Sequence, residues 1–242
     1  MNERRWMRIL AVIEVGFLVG LLTVAPPWCP TSAFADDAMD AQQLVDKARM
    51  TFEAFLADSD VGPSLRLLLK DAKAVLIYPQ VIRLAFVLGA SGGNGVLLAY
   101  DQKANTWSGP AFYTIGQGSI GIQAGGEATV VVLVALSDRG LAALLSTSSK
   151  LGADVGVALG PIGVGAEAAT ANLSADIISY SRASGLYAGA SLSGAVVAVR
   201  DALNQAYYGK DVTPTGILIQ RQVTNPHAAG LLEAVAKVAG KK

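Results

Sequence analysis

The sequence predicts an α+β fold: a single domain whose glycine-rich antiparallel β core, sandwich-like or barrel-like, is flanked by two N-terminal helices and a C-terminal helix. Three observations lead to this prediction. Between Trp107 and Ser137, glycines recur at short intervals among small and apolar residues, which is typical of bulges and close backbone approach in curved strands. The same texture returns from Leu151 and again from Ala175. Segments with apolar residues at helical spacing lie before and after it.

Two helices are predicted ahead of the β core. From Met39 to Ala57 the apolar residues fall on one helical face and the charged residues on the other. This pattern fits a helix lying on the core or one lying on a membrane surface, and the mixed signs of the charges favour the core. A second helix is predicted from Leu65, with Ser64 as its N-cap.

The central strands are predicted from apolar runs and turn residues. Val75–Pro79 reads as a short strand that ends at the proline, and Val81–Leu88 as a second strand. Gly89–Gly95 has the composition of a phosphate-binding loop, but it lacks the Gly-Lys-Ser/Thr ending and no helix follows, so a hairpin connection is predicted. Gly109-Pro110 is predicted to form a turn, and Val130–Leu136 a strand buried on both faces.

The C-terminal half carries three helix predictions. Ser137 is expected to cap a short helix over Arg139–Leu145. A second helix is predicted over Asp201–Tyr208, ending at Gly209. A terminal helix is predicted over Pro226–Ala239, with its larger apolar residues on one side.

The first 35 residues have the three-part layout of a secretory signal peptide. A basic start precedes an apolar run over Ile9–Val24 and a small-x-small site at Ala33-Phe34-Ala35. An uncleaved membrane anchor is the alternative, but a 16-residue run is short for a span and Glu14 inside it is costly. We therefore expect export to the periplasm or cell envelope, and a mature domain over residues 36–242 without cysteine, because Cys29 leaves with the signal.

Composition argues against several functional classes. The 19 basic and 19 acidic residues balance, so there is no electrostatic case for nucleic acid. A single histidine and a single cysteine leave little for metal or redox chemistry, and no cofactor is expected. Acids and hydroxyls exist that could in principle serve catalysis, but nothing in their spacing requires them to meet, so the chain is not predicted to be an enzyme. These residues are Asp154, Glu167, Asp176, Ser181 and Arg182.

Five motifs, in chain order, resemble the SYLF domain: AKAVLIYP, WSGPAFYTIGQGSIGIQAG, KLGADVGVALGPIGVGAEAAT, ADIISYSRASGLYAGASLSGAVV and NQAYYG. The resemblance covers about residues 41–209. It implies an antiparallel β core with flanking helices, and binding of phosphoinositides or other anionic phospholipids without an enzymatic reaction. Actin binding is not expected of an exported chain. The motif residues, which either contribute to function or set turns and packing, are Trp107, Gly109, Pro110, Gln123, Ser179, Ser181 and Arg182.

Basic residues cluster in the first half of the mature chain. In eukaryotic SYLF members a basic amphipathic N-terminal helix touches the membrane, and the matching helix here supplies Lys47 and Arg49. Each such cation contributes about 1 kcal/mol near an anionic surface. The alternative function is a structural or assembly protein of the envelope that binds a protein partner. The candidate lipid contacts are Lys47, Arg49, Arg66, Lys70, Lys73 and Arg83.

Overall fold

The computed structural model describes residues 31–85, 88–120, 125–163, 174–183, 186–187 and 192–240. The chain divides into two compact units, Met1–Ala33 and Phe34–Lys242, and the architecture below is that of the second. Most of the predicted signal peptide, together with Gln123 and Glu167, lies outside the described residues.

Among the described elements, two helices come first, one helix interrupts the run of strands, and the last elements are all helical. Four long strands occupy the middle. In chain order the elements are α1 (Thr31–Ala57), α2 (Gly62–Asp71), β1 (Ala74–Ala85), β2 (Leu88–Asp101), β3 (Thr106–Ile120), β4 (Gly125–Ala135), α3 (Asp138–Leu145), β5 (Ser148–Lys150), β6 (Val157–Leu159), β7 (Ile177–Ala183), β8 (Leu186–Tyr187), β9 (Val196–Val199), α4 (Asp201–Tyr208), α5 (Pro214–Leu218), a 3-10 turn (Pro226–Ala228) and α6 (Ala229–Ala239).

The strands form one sheet that curls into a half-barrel. Its order is β5-β9-β3-β2-β1-β4-β7-β6, and β8 pairs with β7. All pairings are antiparallel except β6 with β7. The predicted α+β domain, with its antiparallel core and its N- and C-terminal helices, is therefore confirmed.

Both faces of the sheet are buried at its centre. On β1, Val75 and Ile77 point toward a cluster that includes α1, α2, α4 and α6, whereas Leu76 and Tyr78 point into a second cluster with α3 and α5. The alternation follows from the period-2 geometry of a strand. We call these the helix face and the opposite face. Of the run predicted to be buried on both faces, Val130–Leu136, residues 131–135 are buried, whereas Val130 and Leu136 are half-buried.

Two strand predictions near the first hairpin were wrong. Residues 74–85 form one strand, and Pro79 does not end it because a one-residue bulge between Tyr78 and Val81 accommodates the missing N–H. Gly89–Gly95 is not a hairpin connection but part of β2. Two of these glycines, Gly93 and Gly95, are needed where β2 passes the bulge, since a Cβ on Gly93 would collide with the Gln80 carbonyl oxygen and one on Gly95 with the Ile77 carbonyl oxygen.

Two further local predictions were also wrong. Gly109-Pro110 does not form a turn: it lies inside β3, joined by a cis peptide bond, with Gly109 at a φ of 127°. Ser64 does not cap α2, because the helix already begins at Gly62 and Ser64 is buried in its first turn. The other caps are as predicted: Ser137 accepts from the Gly140 N–H at 2.9 Å, and Gly209 ends α4 at a φ of 71°.

Candidate functional site

A cleft of about 360 Å³ opens where α1 passes the bulge of β1. A second cleft, of about 310 Å³, shares Lys47, Pro79 and Gln80 with it and continues toward Met50 and Val130. Lys47 therefore stands between the two. The first cleft is lined mainly by Asp37, Asp40, Gln43, Leu44 and Lys47 of α1, Pro79, Gln80 and Ile82 of β1, Gly92, Gly93 and Asn94 of β2, and Arg200 with Leu203.

The backbone places the cations of this cleft from two distant segments. Lys47 projects from the exposed side of α1, whose other side packs on the core through Val45 and Ala48. Arg200 immediately precedes α4, and its N–H donates to the Phe112 carbonyl oxygen at 2.9 Å, which fixes it beside β3. Arg200 was not predicted as a site residue, because its place at the cleft depends on this long-range hydrogen bond and on the pairing of the preceding strand β9 with β3.

The cleft contains two cations and two anions that do not neutralise each other directly. Four ion pairs form within the part of the chain that the structure describes, and none of them involves Lys47, Arg200, Asp37 or Asp40. The cations can therefore accept an external anion without breaking an ion pair among the described residues. The two carboxylates lie on the N-terminal turns of the described α1, so they oppose an anion that approaches from that side.

Beyond the bulge, the four long strands continue as an exposed extension. We use this name for residues 82–84 of β1, 90–92 of β2, 116–118 of β3 and 126–128 of β4, which are exposed or half-buried throughout. One row across the strands is Gly116, Gly92, Ile82 and Ala128, and the row two residues further is Gly118, Ala90, Leu84 and Gly126. These eight residues lie on the helix face and include no polar side chain.

The row between them points the other way and is polar. It consists of Gln117, Ser91, Arg83 and Glu127, which are paired in register across the four strands. The extension is therefore an amphipathic sheet, with an apolar face toward the α1 side and a polar face opposite. The sequence shows the alternation of apolar and polar residues over 82–84. Its continuation in β2 was not predicted, because Gly89–Gly95 was interpreted as a hairpin connection.

Two predicted basic contacts lie away from this site on the helices. The Arg49 guanidinium lies beside Gly230, so that a Cβ there would come within 3.0 Å of its Nη1. Arg66 folds back on the last turn of α1 and donates through Nη2 to the Leu56 carbonyl oxygen at 2.6 Å. Both side chains serve contacts inside the domain.

The remaining predicted cations are also dispersed. Lys70 is exposed near the end of α2. Lys73 forms a 2.5 Å ion pair with Asp138 at the start of α3. Arg83 belongs to the polar face of the extension, next to Glu127 in register. The six candidates therefore do not meet on one surface: Lys47 lies at the cleft and Arg83 near it, on the other face of the sheet.

The motif residues of β3 occupy the inner part of the sheet. Trp107 is buried, with its ring 5.6 Å from that of Tyr100. Gly109 passes close to the Leu97 carbonyl oxygen, which lies 2.9 Å from where a Cβ would be. The Pro110 carbonyl oxygen accepts from the Tyr208 hydroxyl at 2.7 Å, which ties β3 to α4.

Of the motif residues of β7, Ser179 and Ser181 are buried and Arg182 is half-buried. Ser179 donates to the Ala158 carbonyl oxygen at 3.3 Å, and Ser181 is buried. The Arg182 guanidinium lies over the Phe55 ring at 5.5 Å from its centroid, a cation–π contact. In the described residues these motif side chains contact other parts of the domain, whereas Gln123 lies outside them.

Two of the carboxylates considered for catalysis, Asp154 and Asp176, accept hydrogen bonds from neighbouring segments of the domain. Asp176 accepts from the Ser137 hydroxyl at 2.5 Å and from the Gly156 N–H at 3.1 Å, and these hydrogen bonds lower the pKa of its carboxyl below the usual value. Asp154 accepts from the Lys150 N–H at 2.7 Å and closes a tight turn. Across the described segments, no three His, Cys, Asp or Glu side chains are grouped as a metal ion would require. None of the helices described there has the length and apolar character to cross a membrane.

Comparison with known proteins identifies relatives of most of the chain. A family profile described as Ysc84, Las17-binding protein actin regulator, matches residues 116–238, just over half of the 242 residues. Protein YSC84 of Saccharomyces cerevisiae is 32% identical over 185 residues, covering 74% of this chain and 38% of its own. LAS seventeen-binding protein 3 of the same species is 31% identical over 173 residues, covering 70% and 37%.

A human relative is also similar to this chain over part of its own length. SH3 domain-containing YSC84-like protein 1 of Homo sapiens is 32% identical over 149 residues, covering 61% of this chain and 43% of its own. The chain thus spans about two fifths of the length of these curated relatives.

Proposed function

Because the chain belongs to the Ysc84/SYLF family, and because its candidate site places cations that form no ion pair with another described residue beside an exposed apolar face, we propose that it binds anionic phospholipids at a membrane surface. The observation that carries the proposal is the composition of the cleft. Lys47 and Arg200 line the same cleft as Ile82, which belongs to the apolar face of the extension. A phospholipid presents the matching chemistry, an anionic head group next to an apolar boundary.

Electrostatics gives the size of the expected effect. Each cation close to an anionic surface contributes about 1 kcal/mol, so replacing both Lys47 and Arg200 by glutamine should weaken binding about 30-fold. Because the contribution falls off within a Debye length, raising the salt concentration should weaken the wild type more than the variant.

The experiment is vesicle flotation of the purified protein. Vesicles of phosphatidylcholine, with and without phosphatidylserine, are compared for the wild type, for Lys47→Gln/Arg200→Gln and for Lys103→Gln/Lys237→Gln. The last variant loses the same charge from two exposed sites, one of them in the β2–β3 turn at the far end of the strands from the extension. The proposal requires anion-dependent recovery that only the first variant loses. Equal recovery from both kinds of vesicle, or an equal loss in both variants, would refute it.

A second candidate is binding of a protein partner. It is favoured by the names of the relatives, which describe Las17-binding proteins and actin regulators. A stable, defined oligomer or complex in size-exclusion chromatography, without recovery by any vesicle, would support this candidate over phospholipid binding.

Export to the periplasm or cell envelope remains a proposal that rests on the layout of residues 1–35. The mass of the protein recovered from an exporting host tests it. A chain that begins at Asp36 is expected, and an intact N-terminus would contradict it.

A further inference from the structure

Within the part of the chain that the structure describes, no element covers the apolar face of the extension. Ile82 is 47% exposed and Leu84 is 64% exposed, and the six residues around them in the two rows are glycine or alanine. Leu84 lies over Gly126, with its Cδ2 3.4 Å from where a Cβ would be. Since the neighbouring residues have little or no side chain, the face is flat and the two aliphatic side chains protrude from it.

The charge around this face indicates what covers it. The cleft with Lys47 and Arg200 borders the apolar face at Ile82 and opens on the same side of the sheet. The opposite face, with Gln117, Ser91, Arg83 and Glu127 in one row, is suited to water. An element that lies in the interface of an anionic membrane has an apolar face toward the lipid, cations at the border of that face and a polar face toward water. The extension has this arrangement.

We propose that the extension is inserted into the membrane interface, apolar face first, so that Ile82 and Leu84 enter the boundary of the acyl chains while Lys47 and Arg200 stay at head-group level. This inference rests on the phospholipid binding proposed above and adds the inserting element and the orientation of the protein. The sheet, rather than a terminal helix, makes the apolar contact.

Backbone hydrogen bonding sets the depth of insertion. Within the extension, β1 pairs with both β2 and β4, and β2 also pairs with β3, so the two inner strands are satisfied. Among the described residues the outer edges have no further strand partner, because β9 pairs with β3 only as far as Gly116 and β7 pairs with β4 only from Thr129. Unpaired backbone groups are not tolerated in the hydrocarbon core. The extension therefore lies flat in the interface with its edges in contact with water.

Site-specific labelling tests the orientation. An environment-sensitive fluorophore is attached to Leu84→Cys and, as the matched control, to Ser91→Cys on the polar face, each with Cys29→Ser so that only one thiol remains. With vesicles containing phosphatidylserine, the label at position 84 should shift to the blue and be quenched by brominated lipid. The label at position 91 should do neither. A label at position 84 that stays in water while the protein floats with the vesicles overturns the insertion and leaves phospholipid binding intact.

Substitution tests the energetic contribution. Ile82→Ser/Leu84→Ser should bind anionic vesicles about 30-fold more weakly, because the variant lacks the two exposed aliphatic side chains whose transfer from water into the membrane interface stabilises the bound state. The matched control is Leu159→Ser/Ile219→Ser, which removes two aliphatic side chains that are 46% and 39% exposed in β6 and directly after α5, outside the extension. Binding that is equal in both variants overturns the proposal. So does a wild-type dimer in lipid-free solution that Ile82→Ser/Leu84→Ser makes monomeric, since a second copy would then cover the face. Failure of every variant and the wild type to bind any vesicle overturns the proposed function as well.

Discussion

The Asn204 side chain accepts a backbone hydrogen bond at the edge of β3 where no described strand pairs, and Asn204→Ala should destabilise the whole domain. β9 pairs with β3 only from Tyr113 onward, so the Phe112 N–H has no strand partner on that side. The Asn204 side chain, fully buried on α4, accepts this hydrogen bond through Oδ1 at 2.9 Å. The Asn204 Nδ2 atom is buried without a partner among the described residues, so the side chain acts here through its oxygen.

The expected magnitude follows from that single bond. Asn204→Ala leaves the buried Phe112 N–H unsatisfied, which costs about 1–3 kcal/mol. For a chain of this size, a loss of about 2 kcal/mol lowers Tm by roughly 4–8 °C. The effect should be confined to the free energy of unfolding, with little change in the surface exposed on unfolding.

Urea unfolding followed by circular dichroism measures this loss. Gln205→Ala, next to Asn204 on α4, is the matched control. Its side chain is only half-buried, so a change within about 0.5 kcal/mol is expected. If Asn204→Ala is as stable as Gln205→Ala, the Phe112 N–H does not depend on Asn204 and the reasoning fails. A changed m-value would mean that the substitution alters the native or denatured ensemble instead.

Gly95→Ala should destabilise the domain strongly, because its Cβ would lie 2.5 Å from the Tyr78 ring. Gly118→Ala should be almost neutral, because a Cβ at that position meets nothing within 4 Å. Thermal unfolding of the two variants checks this, and an equal loss of Tm in both would contradict it. Asp176 should stabilise the fold at neutral pH, because its pKa is lowered by the Ser137 hydroxyl first and by the Gly156 N–H second. This stabilisation is present above about pH 4 and is lost as the pH falls through the folded-state pKa. Urea unfolding between pH 2 and 7 should therefore show a smaller loss on acidification for Asp176→Asn, and identical pH profiles would contradict the assignment.

The parts of the fold that depend on local chemistry could be predicted from the sequence. The apolar faces of α1 and α2, the Ser137 cap, the Gly209 cap and the buried run in β4 all follow from patterns within a few residues. The SYLF resemblance, which five motifs indicated, is confirmed by the family profile and by the relatives. These predictions succeeded because the local preference and the tertiary structure agree.

The wrong predictions concern residues whose role is set by distant partners. Gly93 and Gly95 of β2 are required by the close approach of β1 at its bulge, and no local pattern separates such glycines from those of a turn. Ser64 resembles a cap, but it is held by the Tyr180 hydroxyl at 3.0 Å and by the Pro161 carbonyl oxygen at 2.9 Å. Burial also raises the pKa of Tyr180 to about 12, so its hydroxyl remains protonated and is available to donate to Ser64.

The candidate site was predictable only in part for the same reason. Charge alone selected six cations, and it could not distinguish Lys47 at the cleft from Lys73, which is paired with Asp138. Arg200 was missed, because its position depends on β3. The pattern over 82–84 contained the apolar face, but its register with β2, β3 and β4 was needed to show that four strands share it.

The bulge of β1 is what joins the apolar face to the cations. Before it, odd-numbered residues such as Ile77 lie on the helix face, and after it the parity is reversed, so that Val81 contacts the opposite cluster while Ile82 lies with α1. A regular strand would place Ile82 and Leu84 on the far side of the sheet from Lys47, with Arg83 beside the helix instead. The one extra residue in the bulge therefore determines whether the exposed aliphatic side chains and the cations of the cleft lie on the same face of the sheet, where both can contact one membrane surface. The bulge contains Pro79, and its backbone has room because Gly93 and Gly95 pass it without side chains.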